Sequence, residues 1–313
     1  ELFSMGVGKD GEINYTEDDV KACARAFTGW NLAPTIPVFP YGRTPFEFRF
    51  DPADHDFGEK TFLGETGPWN GEDIVDIICK QPATARFIAR KMYDFFVADE
   101  PPVPSWRQSE PRDMEAIKTL EKAYFDSGYE IAAMLKALFT SDFFKSESVH
   151  YAKVKSPAEV VIGTLRMVGQ HTGPEPGLFF VAMEPKYMGM DLLNPPTVEG
   201  WHTGAEWINS GTLIDRINFA AGLLGDTELP GVKSIIGRLM GGSDAVRPED
   251  FVDGCLDLTG PLTVAEETRS ELVAHVQSGG ELRHGSESER QNFSQRTGEM
   301  LQFIATTSEF QFG

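Results

Sequence analysis

The sequence predicts a mainly α-helical fold, a multi-helix orthogonal bundle with one small β-hairpin. Three observations carry this reading. Apolar residues recur at helical spacing along most of the chain, Pro or Gly punctuates those segments, and one clear stretch alternates apolar with charged residues. A chain of 313 residues buries roughly 75% of the surface its unfolded form exposes, so its core needs neither disulfide nor metal. Residues 1–313 read as a single helical domain, subdivided loosely by a proline-rich surface linker at 99–112.

The elements follow in order. Thr16 can cap a helix reciprocally with Asp19, and Val20, Ala24 and Phe27 then share a face until Gly29 ends it. Phe46-Glu47-Phe48-Arg49-Phe50 alternates as a strand does, and it forms the expected hairpin with Thr61-Phe62-Leu63 across a long acidic loop. Pro82 suits a first helical turn, and Phe87, Ile88, Met92 and Phe95 continue the helix for about four turns. Beyond the linker, residues 114–125 and 131–144 predict two helices. Ser156, Pro157 and Glu159 open another, broken between Gly169 and Gly177. After Asn194-Pro195-Pro196, helices are expected near 211–224, 248–258, 264–277 and 289–307, with a polar, mobile stretch at 279–288. Leu138–Phe144 echoes Ala305–Phe310, each closing a helix with Thr-Ser-acid-Phe.

Composition removes several classes of function. The 28 Lys+Arg against 48 Asp+Glu leave a net charge of −20, which repels nucleic acid and anionic membranes in the absence of a basic patch. No apolar run approaches the roughly 18 residues of a membrane span. Cys23, Cys79 and Cys255 are too widely spaced for a zinc or thioredoxin motif and read as buried thiols. No nucleophile elbow and no zinc-protease helix occurs, and His150, His171, His275 and His284 are dispersed.

Gly6-Val7-Gly8-Lys9-Asp10-Gly11 fits the dinucleotide fingerprint only formally, because polar Glu12-Ile13-Asn14 follows where a helix should start. It also lacks two carboxylates of a calcium loop. The leading site is the loop 51–60, where Asp51, Asp54, His55 and Asp56 supply oxygen and nitrogen donors for a divalent metal ion. Carboxylates at that density repel one another unless a cation or a basic side chain intervenes. The loop reads as structural, with Asx turns, as a structural metal site, or as a metal site that activates water. A second constellation joins Glu199, Trp201, His202, Glu206 and Trp207 in a rigid loop. If exposed, Trp201 and Trp207 could stack on a sugar, with Glu199, His202 or Glu206 moving protons; if buried, they anchor the loop to helices.

Taken together, Glu1-Leu2-Phe3-Ser4-Met5-Gly6, Ala24-Arg25-Ala26-Phe27-Thr28-Gly29-Trp30, His55-Asp56, Lys60-Thr61-Phe62-Leu63-Gly64, Pro82 through Lys91, Lys155-Ser156-Pro157, Pro195-Pro196 and Gly200-Trp201 form an ordered series. In these motifs the chain resembles the bacterial family called domain of unknown function eighteen hundred, from its first residue to Gln311. The resemblance implies a mostly helical, exported protein (periplasmic or extracellular) with no assigned activity. It further implies that the chain is the C-terminal portion of a longer protein, since the family usually carries a helical segment before the Glu-Leu motif. His55-Asp56 and Gly200-Trp201 match the family pattern, whereas Asp54 and His202 are not assigned to it.

Two functions follow as expectations. The first is a metal-assisted hydrolase of an extracellular polymer or ester, its metal on the loop 51–60 and its acid/base Glu199 or Glu206. The second is a non-enzymatic cell-envelope binding or assembly module that contacts a glycan, polymer or envelope protein, with no nucleic acid and no membrane span.

Overall fold

The computed structural model describes residues 3–9, 11–36, 45–171, 173–242, 244–260 and 262–313; Glu1, Leu2 and Asp10, which enter the motifs above, lie outside them. The fold is mainly α-helical with small two-stranded sheets. The chain divides into two compact units, with the boundary between Ser146 and Glu147.

In the first unit, helix α1 (Glu17–Ala26) begins as its sequence dictates. Thr16 Oγ1 accepts from Asp19 N at 3.2 Å, and Asp19 Oδ2 accepts from Thr16 N at 2.7 Å. Strand β1 (Trp30–Pro34) pairs antiparallel with β2 (Phe46–Phe50), while β3 (Lys60–Phe62) turns back on β4 (Glu65–Gly67). The hairpin expected between residues 46–50 and 61–63 is therefore replaced by two separate pairings. The cause is the turn at Leu63 and Gly64, whose φ values of 48° and 82° suit a tight hairpin and close β3 locally.

Helices α2 (Gly71–Cys79), α3 (Pro82–Phe96), α4 (Met114–Asp126) and α5 (Ile131–Thr140) complete this unit. Ile74 and Ile77 pack with Ala22, Ala26 and Phe62, and α3, α4 and α5 pack in sequence. Residues 99–112 lie within the unit and are bound to α3. Buried Arg90 donates to Glu100 Oε2 at 2.7 Å and to Ser109 O at 2.9 Å, and its guanidinium lies 4.5 Å from the centre of the Trp106 ring. Near the chain's start Gly6 and Gly8 adopt positive φ, and Asn14 Nδ2 donates to Met5 O at 2.8 Å.

The second unit begins with α6 (Pro157–Val168), capped by Ser156 and Glu159 and ended by left-handed Gly169. Two short helices follow, α7 (Leu178–Val181) and α8 (Glu184–Tyr187). Then come α9 (Ser210–Leu224), α10 (Pro230–Leu239), α11 (Pro248–Leu258), α12 (Glu266–Ser278), α13 (Glu287–Thr306) and α14 (Ser308–Gln311). Their core gathers Ala220, Leu224, Phe251, Val252, Phe293 and Leu301. The stretch 279–288 is more structured than its composition suggests: β6 (Leu282–Arg283) pairs with β5 (Ala245–Val246), and His284 is buried. Of the three free thiols, Cys255 alone is buried, and burial pushes its titration up; Cys23 and Cys79 are half-buried.

Candidate functional site

The acidic loop is tied to the end of α1. Gly29 has φ +80°, and a Cβ there would lie 2.6 Å from Asp51 O and 3.0 Å from His55 Cβ, so this crossing requires glycine. Asp51 N donates to Gly29 O at 2.8 Å, and Asp51 Oδ1 accepts from Ala53 N at 3.0 Å, an Asx turn. His55 is buried between Phe50 and Phe57, and its Nδ1 donates to Thr28 O at 2.8 Å. Exposed Asp54 meets Asn31 Nδ2 at 3.5 Å.

Asp56 accepts from Arg25 Nε at 2.7 Å and from Gly58 N at 2.8 Å. The Arg25 guanidinium, helped by the Gly58 amide, holds its carboxyl down at about 2. Lys60 is buried, donating to Asp56 O and, at 2.9 Å, to Gly58 O, and that burial lowers its own titration. Of these carboxylates Asp56 is paired with a basic side chain, Arg25, while the Lys60 ammonium binds backbone carbonyls of the loop. In place of a converging ligand set, Asp51, Asp54, His55 and Asp56 are directed to four different partners. Among the described residues, no three His, Cys, Asp or Glu side chains are grouped so that they could hold a metal ion.

The second constellation lies in the other unit. Trp207 is buried at the end of a 3-10 turn (Gly204–Trp207), and its carbonyl accepts from Thr212 Oγ1 at 2.9 Å. Trp201 is half-buried, and its indole N–H donates to Asp191 O at 3.0 Å. Trp207 is thus buried, and the Trp201 indole is tied to the backbone of Asp191. His202 Nδ1 and Glu206 Oε1 do come together, 3.5 Å apart and solvent-exposed. Glu199 is exposed, its amide donating to Thr197 Oγ1 at 3.2 Å.

The sequence reading missed a third feature, the face of the β1–β2 hairpin. Its register places Trp30 opposite Phe50, Leu32 opposite Phe48 and Pro34 opposite Phe46, so all six apolar residues share one face. Asn31 opposite Arg49 and Ala33 opposite Glu47 form the other face. Leu32 is 74% exposed, Phe46 60% and Phe48 58%, with Trp30 and Phe50 also exposed. The signal was partial in the sequence: Trp30-Asn31-Leu32 alternates, but apolar Ala33 and Pro34 blur the pattern that Phe46–Phe50 shows cleanly.

No helix among the described residues is long and apolar enough to cross a membrane. No curated protein and no solved structure matches the chain. The model of a family described as "Protein of unknown function (DUF1800)" matches residues 1–312, and with essentially its whole length covered, the chain belongs to that family.

Proposed function

We propose that this protein is a non-enzymatic binding or assembly module, and that the β1–β2 hairpin is its recognition surface. One observation carries the reading: six apolar residues stand on a single face of an isolated two-stranded sheet, with Leu32, Phe46 and Phe48 more than half exposed. A two-stranded sheet is marginal on its own, and a contiguous apolar patch of this kind marks a contact surface. The resemblance to an exported family extends the proposal to a partner in the cell envelope.

The test places a photo-crosslinking residue at Phe48 and, separately, at Glu47 on the opposite face, in the cells from which the protein comes. A discrete adduct from position 48 and none from position 47 is expected. Equal adducts, or none from either position, would overturn the reading. The hydrolytic alternative draws on the His202–Glu206 pair. It requires that Glu206→Gln abolish turnover of an ester or glycan substrate by the purified protein.

A further inference from the structure

The second unit carries a groove of its own, independent of the hairpin. It lies along α13, between that helix, α10 and the end of α9, and holds a cavity of about 650 Å³. That is within the roughly 300–1,000 Å³ usual for small-molecule sites. A second hollow of about 390 Å³ shares Glu299 and Gln302 with it and continues to Phe303 of α13 and His275 of α12. Gln291, Gln295, Glu299 and Gln302 recur three or four residues apart, so they stand on one face of α13 and span about 16 Å.

The charges that line the groove are already matched. Lys233 Nζ meets Glu228 Oε2 at 2.8 Å, and Arg290 Nη2 meets Glu287 Oε2 at 2.8 Å. Glu299 adds a further carboxylate, so the lining holds no cation left over for an anionic ligand. The amides are less committed. Gln302 donates to Ala221 O at 3.3 Å and Gln295 to Glu299 Oε1 at 2.9 Å, while the exposed Gln291 side chain makes no hydrogen bond among the described residues. At the far end Phe303 is 43% exposed, with the His275 ring edge-on to it at 4.4 Å.

Gly237 lines the groove from within α10. Glycine is unfavourable inside a helix, and nothing here demands it: φ is not left-handed, and an added Cβ would meet no atom within 4 Å. Its effect is to leave the groove open at that point.

We infer that this groove binds an uncharged, hydroxyl-rich sugar chain. A sugar hydroxyl both donates and accepts, and one glutamine amide offers the complement of each from a single side chain. The row of Gln291, Gln295 and Gln302 repeats that offer along the groove, Glu299 accepts between them, and Phe303 presents a ring on which the C–H face of a sugar can lie. A peptide is held by a sheet edge or by an apolar stripe in a hydrophobic groove; this wall is helical and its exposed stripe is polar.

The experiment titrates the full chain, by calorimetry, with cellohexaose, laminarihexaose and N-acetylated chitohexaose as neutral probes, hexagalacturonate as an anionic one, and a Ser-Asn decapeptide. The expected result is submillimolar binding of at least one neutral hexasaccharide, at least tenfold tighter than hexagalacturonate or the peptide. Gly237→Leu should fill the groove and weaken that binding at least tenfold, while its melting temperature holds or rises, because leucine suits a helix better than glycine. Gly163→Leu is the control: Gly163 is exposed within α6, outside the groove, with equally free space for a Cβ, and its variant should bind as wild type does. Gln291→Ala, which removes no hydrogen bond of the fold, should weaken binding at least threefold. Binding of no neutral probe overturns the inference. So does binding that Gly237→Leu leaves intact, or that both glycine variants lose alike, and so does a preference for hexagalacturonate or the peptide.

Discussion

Asp56 has a charge state fixed by its neighbours, and this predicts how the molecule responds to acid. Its folded carboxyl titrates at about 2, below the ordinary 3.8, because of Arg25 and the Gly58 amide. A depressed carboxyl contributes stability that is fully present above its unfolded value and is lost as pH falls through its folded value. The melting temperature of wild type should therefore exceed that of Asp56→Asn by a constant margin above about pH 5, and the gap should close between about pH 4 and pH 2. A gap as wide at about pH 1–2 as at neutral pH would show that Arg25 does not act through this charge. At Leu193 the opposite sign is expected. It has φ 61° and is 95% exposed, so it holds a left-handed conformation with no packing in return. Leu193→Asn should stabilise by about 0.5–1 kcal/mol, measured by urea unfolding, because Asn tolerates that region better than Leu.

Element by element, the ends of the two units repeat one device. Ser141 Oγ accepts from Phe144 N at 3.2 Å after α5, and Thr307 Oγ1 accepts from Phe310 N at 3.3 Å after α13. Each hydroxyl also donates back to its helix, to Leu138 O and Ile304 O respectively. Ser141→Ala and Thr307→Ala should each cost about 1 kcal/mol in chemical unfolding, and a cost at only one of them would mean that the likeness is geometric alone. Signals of this local kind were the legible part of the fold. The boxes at Thr16 and Ser156 and the prolines that open α3 and α11 announce their helices. Helix α2 was missed although Asn70 and Asp73 form the same kind of box, because its run of only nine residues follows a hairpin. Helix α10 was missed although Pro230 opens it as Pro82 opens α3. Strand pairing was illegible for a different reason: alternation marks a strand but does not name its partner, and the turn at Leu63-Gly64 decided it. Of the candidate residues, the sequence located the loops and not the direction of their side chains, which depends on distant Arg25 and Thr28.

For the whole molecule, the two units hold separate buried clusters, one around Ile74 and Phe62 and one around Phe251 and Leu301. Each cluster is built from residues of its own unit. Calorimetry should accordingly resolve two transitions. Leu120→Ala and Leu301→Ala, both at fully buried positions, should each destabilise by about 2–5 kcal/mol and move a different transition. One transition lowered by both variants would instead mean that the units unfold as a single cooperative body. Thiol labelling gives an independent reading of the second unit. Cys23 and Cys79 should react under native conditions, and Cys255 only as its core opens.

Buried Lys60, whose ammonium donates to backbone carbonyls of its own loop, has a further consequence. An amine must reach solvent before it can be acylated, so Lys60 is a natural clock for the opening of the loop 51–60. Lys21, with 63% of its side chain exposed, supplies the reference rate within the same molecule. The ratio of the two modification rates, followed by peptide mass spectrometry, converts a static knot of hydrogen bonds into an opening equilibrium. Any molecule that seats on the adjoining hairpin should slow the Lys60 clock and leave Lys21 unchanged.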